Sequence, residues 1–200
     1  MASQYNITGR GVTSGPTVDW INPNNITASD NTYTTATLTS GSDTVRISDY
    51  IRADYFYFDI PAMATIDGIV GRIERKAGTA NSITDWIVNI LKNGSIPGGS
   101  DDKASATVWS TTEGFVSYGS PSDLWGATWT PADINHINTG FGMRCEYTGA
   151  YSGDVAYVDS MDMTVYYTVN GLKFGTSSIS RAYVGNREVT AIYHGPNQIA

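Results

Sequence analysis

Three aspartates, Asp154, Asp159 and Asp162, fall in or at the edge of one alternating run, "GDVAYVDSMDMTVYYTV". Paired carboxylates across a sheet face can act as acid and base in glycoside cleavage. The period of two places Val155, Tyr157, Asp159, Met161, Met163, Val165 and Tyr167 on one face, and Ala156, Val158, Ser160, Asp162, Thr164 and Tyr166 on the other. Asp159 and Asp162 then point to opposite faces, and a bulge is needed to bring them together. A cross-strand partner such as Asp59 or Glu146 is the other route to a pair. Ordinary strand and turn positions are the simpler reading of all three.

The remaining chemistry-bearing residues form no recognisable motif. The two histidines, His136 and His194, stand far apart, outside any nucleophile elbow or His-Glu-x-x-His helix. Cys145 is the single cysteine, which excludes an intrachain disulfide. In "FGMRCEY" it shares a strand face with Phe141, Met143 and Tyr147, the setting of a packed core thiol. Gly98-Gly99 and Asp101-Asp102 in "IPGGSDDKASATVW" lack the Lys-Ser or Lys-Thr of a phosphate loop and the spaced acids of a calcium loop, so they read as a solvated loop. No catalytic, cofactor or metal site is expected, and the chain reads as a non-enzyme.

The elements that would position any site are strands. "DYIRADYFYFDIP" sets Phe56, Phe58 and Ile60 against Tyr55, Tyr57 and Asp59 before Pro61 stops the ladder. "TIDGIVGRIERKA" sets Ile69, Gly71 and Ile73 against Val70, Arg72 and Glu74. "TDWIVNILKNGS" puts Trp86, Val88 and Ile90 on one side and ends at an Asn93-Gly94 turn. A single helix of about two turns is predicted after Thr130, which can cap it, with Pro131 in its first turn; Trp125 and Trp129 would fasten it to the sheet rim. About eight short strands and one helix predict an all-β fold, an antiparallel β-sandwich of jelly-roll type, with immunoglobulin-like topology as the competitor.

Composition bounds the partners. The 200 residues carry a net charge of −7, and only 16% are charged. Nucleic-acid binding needs clustered Lys and Arg, and only Arg72-Ile73-Glu74-Arg75-Lys76 approaches that. No apolar stretch is long enough to span a membrane, and "MASQYNITGRG" lacks the apolar core of a signal peptide, so nucleic acid and membrane are not expected partners. The 13 Tyr and 5 Trp suit either stacking on sugars, making glycan a possible ligand, or a protein interface.

Three regions are expected: an extended polar arm with first short strands over 1–43, the sandwich over 44–169, and a C-terminal β-hairpin repeat over 170–200. In the last, strands 179–184 and 190–193 repeat at an offset of ten, Tyr183 on Tyr193 and Gly185 on Gly195. A unit this small cannot bury its own apolar side chains. Tyr183, Ile192, Tyr193 and Ile199 must therefore pack on either the sandwich or a neighbouring subunit. With Tyr5, Ile7, Trp20 and Ile21 of the arm they form the expected partner-contact set.

"SDYIRADYFYFDIPAMATIDGIVGRIERKA", "LWGATWTPADIN", "GFGMRCEY" and "VDSMDMTVYYTV" together resemble a β-sandwich module of tailed-bacteriophage structural proteins, and "ISRAYVGNREVTAIYHGPNQIA" is similar to the short V-Y-x-G tails of phage virion proteins. The resemblance implies a non-enzymatic virion building block assembled in the host cytoplasm. Its implied role is a capsid decoration (cement) protein on the major capsid shell, as a homo-oligomer with a trimer favoured. A tail, baseplate or fibre component with a carbohydrate-binding sandwich is the alternative.

Overall fold

A computed structural model of the chain describes residues 1–150 and 152–169, and beyond them the short strand segments 173–174, 177–178, 192–194 and 197–199. Nine strands build the sandwich: β1 Ala2–Ile7, β2 Arg10–Ser14, β3 Thr34–Thr39, β4 Tyr50–Asp54, β5 Ala64–Ala77, β6 Ile83–Leu91, β7 Gly114–Ser120, β8 Gly140–Tyr147 and β9 Gly153–Val169. The larger sheet runs β1-β9-β5-β7 with β3 also on β9, and the smaller runs β2-β4-β8-β6. Every successive strand from β1 to β9 therefore lies in the opposite sheet, which is the jelly-roll arrangement.

The 17-residue β9 is the spine of the larger sheet. On one edge β3 pairs with Gly153 to Val158 and β1 with Asp162 to Tyr167, end to end. Along the other edge β5 pairs from Ala64↔Val169 to Ala77↔Ala156. The expected arm is thus woven into both sheets, since β2 also pairs with β4 from Arg10↔Asp54 to Ser14↔Tyr50. Its Thr- and Asn-rich composition suits edge strands, whose outer faces stay in water.

Between the sheets lie Ile69 and Ile73 of β5, Val88 and Ile90 of β6, Phe141, Met143 and Cys145 of β8, and Met161, Met163 and Val165 of β9, all fully buried. Gly71 also faces inward, and a Cβ there would stand 3.0 Å from the Phe141 ring, so the glycine makes room for that ring. Burial at this scale contributes about 25 cal/mol for each Å² of apolar surface removed from water.

Bulges overturn two of the strict alternations. The β5–β9 register shifts so that Glu74 pairs with Ser160 but Arg75 with Val158, leaving Asp159 as the extra residue. Inward residues accordingly switch from Ala156 and Val158 to Met161, Met163 and Val165, so the single seven-residue face expected for this run does not exist. In β6 the register shifts between Asp85 and Ile87, which turns Trp86 out to solvent while Val88 and Ile90 stay inside.

Phe56, Phe58 and Ile60 are buried and Tyr57 is exposed, as the alternation predicts, but the strand ends at Asp54. Left-handed backbone at Tyr55 (φ 60°) and Tyr57 (φ 54°) produces the same in-out pattern without a ladder. Asn93 (φ 52°) and Gly94 (φ 85°) form the expected tight turn, closed by a Lys92↔Ser95 bridge.

Three one-turn helices occur among the described residues: a 3-10 turn Pro23–Ile26, α1 Asp43–Arg46 and α2 Pro131–Ile134. The last starts as predicted, with a reciprocal capping box between Thr130 and Asp133. It stops after one turn, where the Asn135 side chain bonds both Ile60 N (2.7 Å) and Ile60 O (2.8 Å). Trp125 is buried and donates to Ile69 O at 3.0 Å, fixing the preceding loop to β5. The "GGSDD" loop is structural too. Asp102 Oδ1 accepts from Val88 N and Ala104 N, each at 2.9 Å, capping the open edge of β6.

At the C-terminus β10 Lys173–Phe174 pairs with β11 Ser177–Ser178, and β12 Ile192–His194 with β13 Asn197–Ile199 in the register Ile192↔Ile199. The expected strand 179–184 lies outside the described residues.

Candidate functional site

The outer face of the larger sheet carries a group of charged and aromatic side chains. β1 presents Tyr5 and Ile7, β5 presents Arg72, Glu74 and Lys76, β7 presents Phe115, and β9 presents Ser160 and Asp162. Ile21 joins this face through a bridge to Thr35, which pairs in turn with Tyr157 of β9. Directly paired residues share a face, so register alone assembles the surface.

At its centre Arg72 holds Asp162 with two parallel bonds, Nε to Oδ1 and Nη2 to Oδ2, both 2.8 Å. The guanidinium lies 4.5 Å from the Phe115 ring centroid and 5.6 Å from that of Tyr5, so aromatic rings flank the ion pair. The bonds to Asp162 raise the Arg72 pKa, and burial together with the Asp162 charge raises that of the Tyr5 phenol. Asp162 is thereby occupied as a partner of arginine.

One end of the face is acidic. Carboxylate oxygens of Glu74, Glu113 and Asp159 lie within 4.8 Å of one another. Burial raises the pKa of Glu74 and of Asp159, with nearby carboxylates adding to the effect. Beside them Lys76 Nζ reaches Tyr33 Oη at 2.7 Å and Glu113 at 3.6 Å, while the Tyr33 hydroxyl donates to Glu113. The Tyr33 and Tyr157 rings pack edge to face at 5.5 Å.

Of the expected contact residues, Tyr5 (48% exposed), Ile7 (39%) and Ile21 (58%) meet on this face. Trp20 does not: it is 2% exposed and donates Nε1 to Asp49 O at 2.9 Å, because its ring fills the core beneath the smaller sheet's edge. Tyr183 lies outside the described residues, and Ile192, Tyr193 and Ile199 are described as strand backbone only. Asp159 bulges as an Asp159–Asp162 pair would require, yet Asp162 is bound to Arg72. The other possible partner, Glu146, belongs to β8 of the smaller sheet, and Asp59 is exposed with its N–H on Gln4. Arg72, Glu74 and Lys76 were readable from the alternation of "GRIERKA"; Tyr33, Glu113 and Phe115, brought in by loops and by β7, carried no sequence signal.

The smaller sheet carries a cleft of about 320 Å³ lined by Ser14, Tyr50, Arg52, Leu91, Ser95 and Ile96. Arg52 Nη2 donates to Gly94 O at 2.7 Å, whereas its Nε is buried with no hydrogen-bond partner among the described residues. Tyr50 Oη donates to Asn89 at 3.1 Å.

No family model matches the chain, and no curated protein matches it. Solved structures similar to it include one described as "CBM4 structure and function" (13% identity, TM-score 0.37, 80% of this chain and 92% of that one). A family 35 carbohydrate binding module from Clostridium thermocellum aligns at 13% identity and TM-score 0.35 over 82% of this chain and 98% of that chain. The N-terminal cellulose-binding domain of Cellulomonas fimi β-1,4-glucanase C aligns at 13% identity and TM-score 0.35 over 85% and 90%.

Proposed function

We propose that this chain is a non-enzymatic structural protein of a tailed-bacteriophage virion, decorating the capsid surface and docking on the major capsid protein through the outer face of its larger sheet. The observation that carries the docking face is the exposure of Tyr5, Ile7, Ile21 and Phe115 on one sheet surface around the Arg72–Asp162 pair. Aromatic rings with a central arginine are the composition that dominates binding energy at protein interfaces. The virion setting rests on the sequence resemblance of residues 45–200. A ligand that binds assembled shell in preference to loose subunits stabilises the shell by mass action, and a symmetric oligomer, a trimer for preference, multiplies weak contacts into avidity.

The test uses phage shells purified without this protein. Adding the full chain should raise their melting temperature and leave it bound at a fixed copy number. A Tyr5→Ala, Ile7→Asp variant with an unchanged circular dichroism spectrum should neither bind nor stabilise. A wild-type chain that ignores the shells ends the proposal.

The cleft beside Arg52 favours a second reading, a tail, baseplate or fibre component binding host glycan. The Arg52 guanidinium, the Tyr50 ring and the neighbouring backbone that line the cleft would receive a sugar's hydroxyls and apolar face. Saturable binding of host surface polysaccharide that Arg52→Ala abolishes supports this reading; its absence in calorimetry removes it.

A further inference from the structure

The acidic end of the larger sheet has an arrangement that hydrogen bonding leaves unfinished. Glu74 Oε2, Glu113 Oε1 and Asp159 Oδ1 are each buried with no hydrogen-bond partner among the described residues. Ser160 Oγ is in the same condition, and Ser160 is 1% exposed. Ser160 is the direct pair of Glu74 across the β9–β5 ladder, so its side chain stands on the same face beside that carboxylate. Asp159 is itself only 1% exposed, and the bulge is what brings it beside Glu74. Buried acceptors left without donors are costly, and three carboxylates with one lysine nearby are costlier still.

We infer that Glu74, Glu113, Asp159 and Ser160 form a calcium-binding site on the outer face of the larger sheet. The donors are all oxygen and three are anionic, the set that a hard divalent cation takes. Oxygens within 4.8 Å of one another are in reach of a single ion bonded at the ~2.3–2.6 Å of Ca–O contacts. The ligands come from β5, the residue before β7, and the β9 bulge, an irregular set that suits calcium's flexible coordination better than the strict octahedron of magnesium.

The surroundings are organised around these oxygens. The loop over the cluster turns the backbone N–H groups of Asp30 and Asn31 toward Asp159 and the Ser29 side chain toward Glu74. Tyr33 and Lys76 occupy Glu113 Oε2, which leaves Oε1 for the ion. The bound ion would tie β5, β7 and β9 to the 29–33 loop, and it does not depend on what docks against the face.

The experiment takes the full chain stripped with EDTA and adds calcium chloride, magnesium chloride or terbium chloride. Calcium should raise the melting temperature by several degrees. Terbium should give saturable emission sensitised through Tyr33, which donates to Glu113, and calcium should displace it. Asp159→Asn and Glu113→Gln should each lose both the terbium emission and the calcium-dependent shift. Because Asp159→Asn also removes a repelled charge, that variant should melt no lower than wild type in EDTA, which separates lost binding from lost folding. Absence of terbium emission and of any shift at millimolar calcium overturns the site. A response to magnesium equal to that for calcium overturns the choice of ion, and emission that survives Asp159→Asn overturns the ligand set.

Discussion

Arg75 of β5 and Asp85 of β6 meet between the two sheets, with side chains 5% and 0% exposed. Asp85 also accepts from Trp109 Nε1 at 2.8 Å, Tyr118 Oη at 3.0 Å and Ser105 N at 3.1 Å, while the guanidinium packs 4.2 Å from the Trp109 ring centroid. The pair brings a charge into the jelly-roll interior from each sheet, and both oxygens of the carboxylate are answered. Removing one partner strands the other charge in a dry environment. Asp85→Ala should therefore cost about 3–5 kcal/mol of unfolding free energy. A combined Arg75→Met, Asp85→Leu replacement should cost clearly less, since it strands nothing. Urea unfolding of the three proteins checks the order.

Cys145 sits beneath Ser48, fully buried, and burial pushes its thiol pKa up to about 12. The thiolate is the reactive form, so the native thiol should be inert at neutral pH. Dithionitrobenzoate should leave the folded protein unmodified over hours and titrate one thiol per chain in guanidinium.

Trp86 is turned into solvent by the β6 bulge, while Trp20, Trp109 and Trp125 are buried. Trp86→Phe should remove most of the acrylamide-quenchable fluorescence, shift the remaining emission to the blue and change stability by less than about 0.5 kcal/mol. Emission and quenching measured before and after the substitution check this.

That bulge also marks the limit of what the sequence discloses. Alternation correctly places Phe56, Phe58 and Ile60, and Phe141, Met143, Cys145 and Tyr147, because a single rule of in and out holds over each stretch. It misplaces Trp86 and the residues beyond Asp159 because an extra residue reverses the faces and leaves no compositional trace. Trp20 reads as part of a polar arm, since its neighbours are polar; only the fold brings its N–H to Thr13 and its indole to Asp49 O, which seats the ring in the core. The acidic cluster was illegible for a related reason. Glu74, Glu113 and Asp159 lie far apart in the chain and meet only through the β9–β5–β7 topology.

Asp123 and Asp133 make the sandwich sensitive to acid. Partial burial opposes their ionisation, but it is outweighed at Asp123 by bonds from Lys103 and Trp125 N, and at Asp133 by those from Thr130 and Lys92, so both pKa values fall below the ordinary 3.8. A carboxyl with a lowered folded pKa contributes stability that is fully present above its unfolded value and is lost as pH falls through the folded one. These two contributions should be intact at pH 5 and above and should decline progressively as pH falls below about 4. Melting temperature followed from pH 6 to 2 should show that decline, and Lys103→Met should weaken it.

Thr130 offers the most local test of how sequence becomes structure here. Its hydroxyl accepts from Asp133 N at 3.2 Å, Asp133 Oδ2 accepts in return from Thr130 N at 2.9 Å, and Lys92 Nζ reaches the same carboxylate at 2.9 Å. The helix they cap is one turn long, too short to persist on intrinsic propensity, so the cap and the burial of Ile134 must hold it. Thr130→Ala removes the hydroxyl and leaves Asp133 N without its acceptor, which should cost about 1 kcal/mol. Thr130→Ser keeps the cap and should cost much less. Hydrogen exchange at residues 132–135 should speed up in the alanine variant while β5 and β9 stay protected, because the lost bond opens the turn without touching the sheets. Equal acceleration across β9 would mean that the turn and the sandwich unfold as one unit.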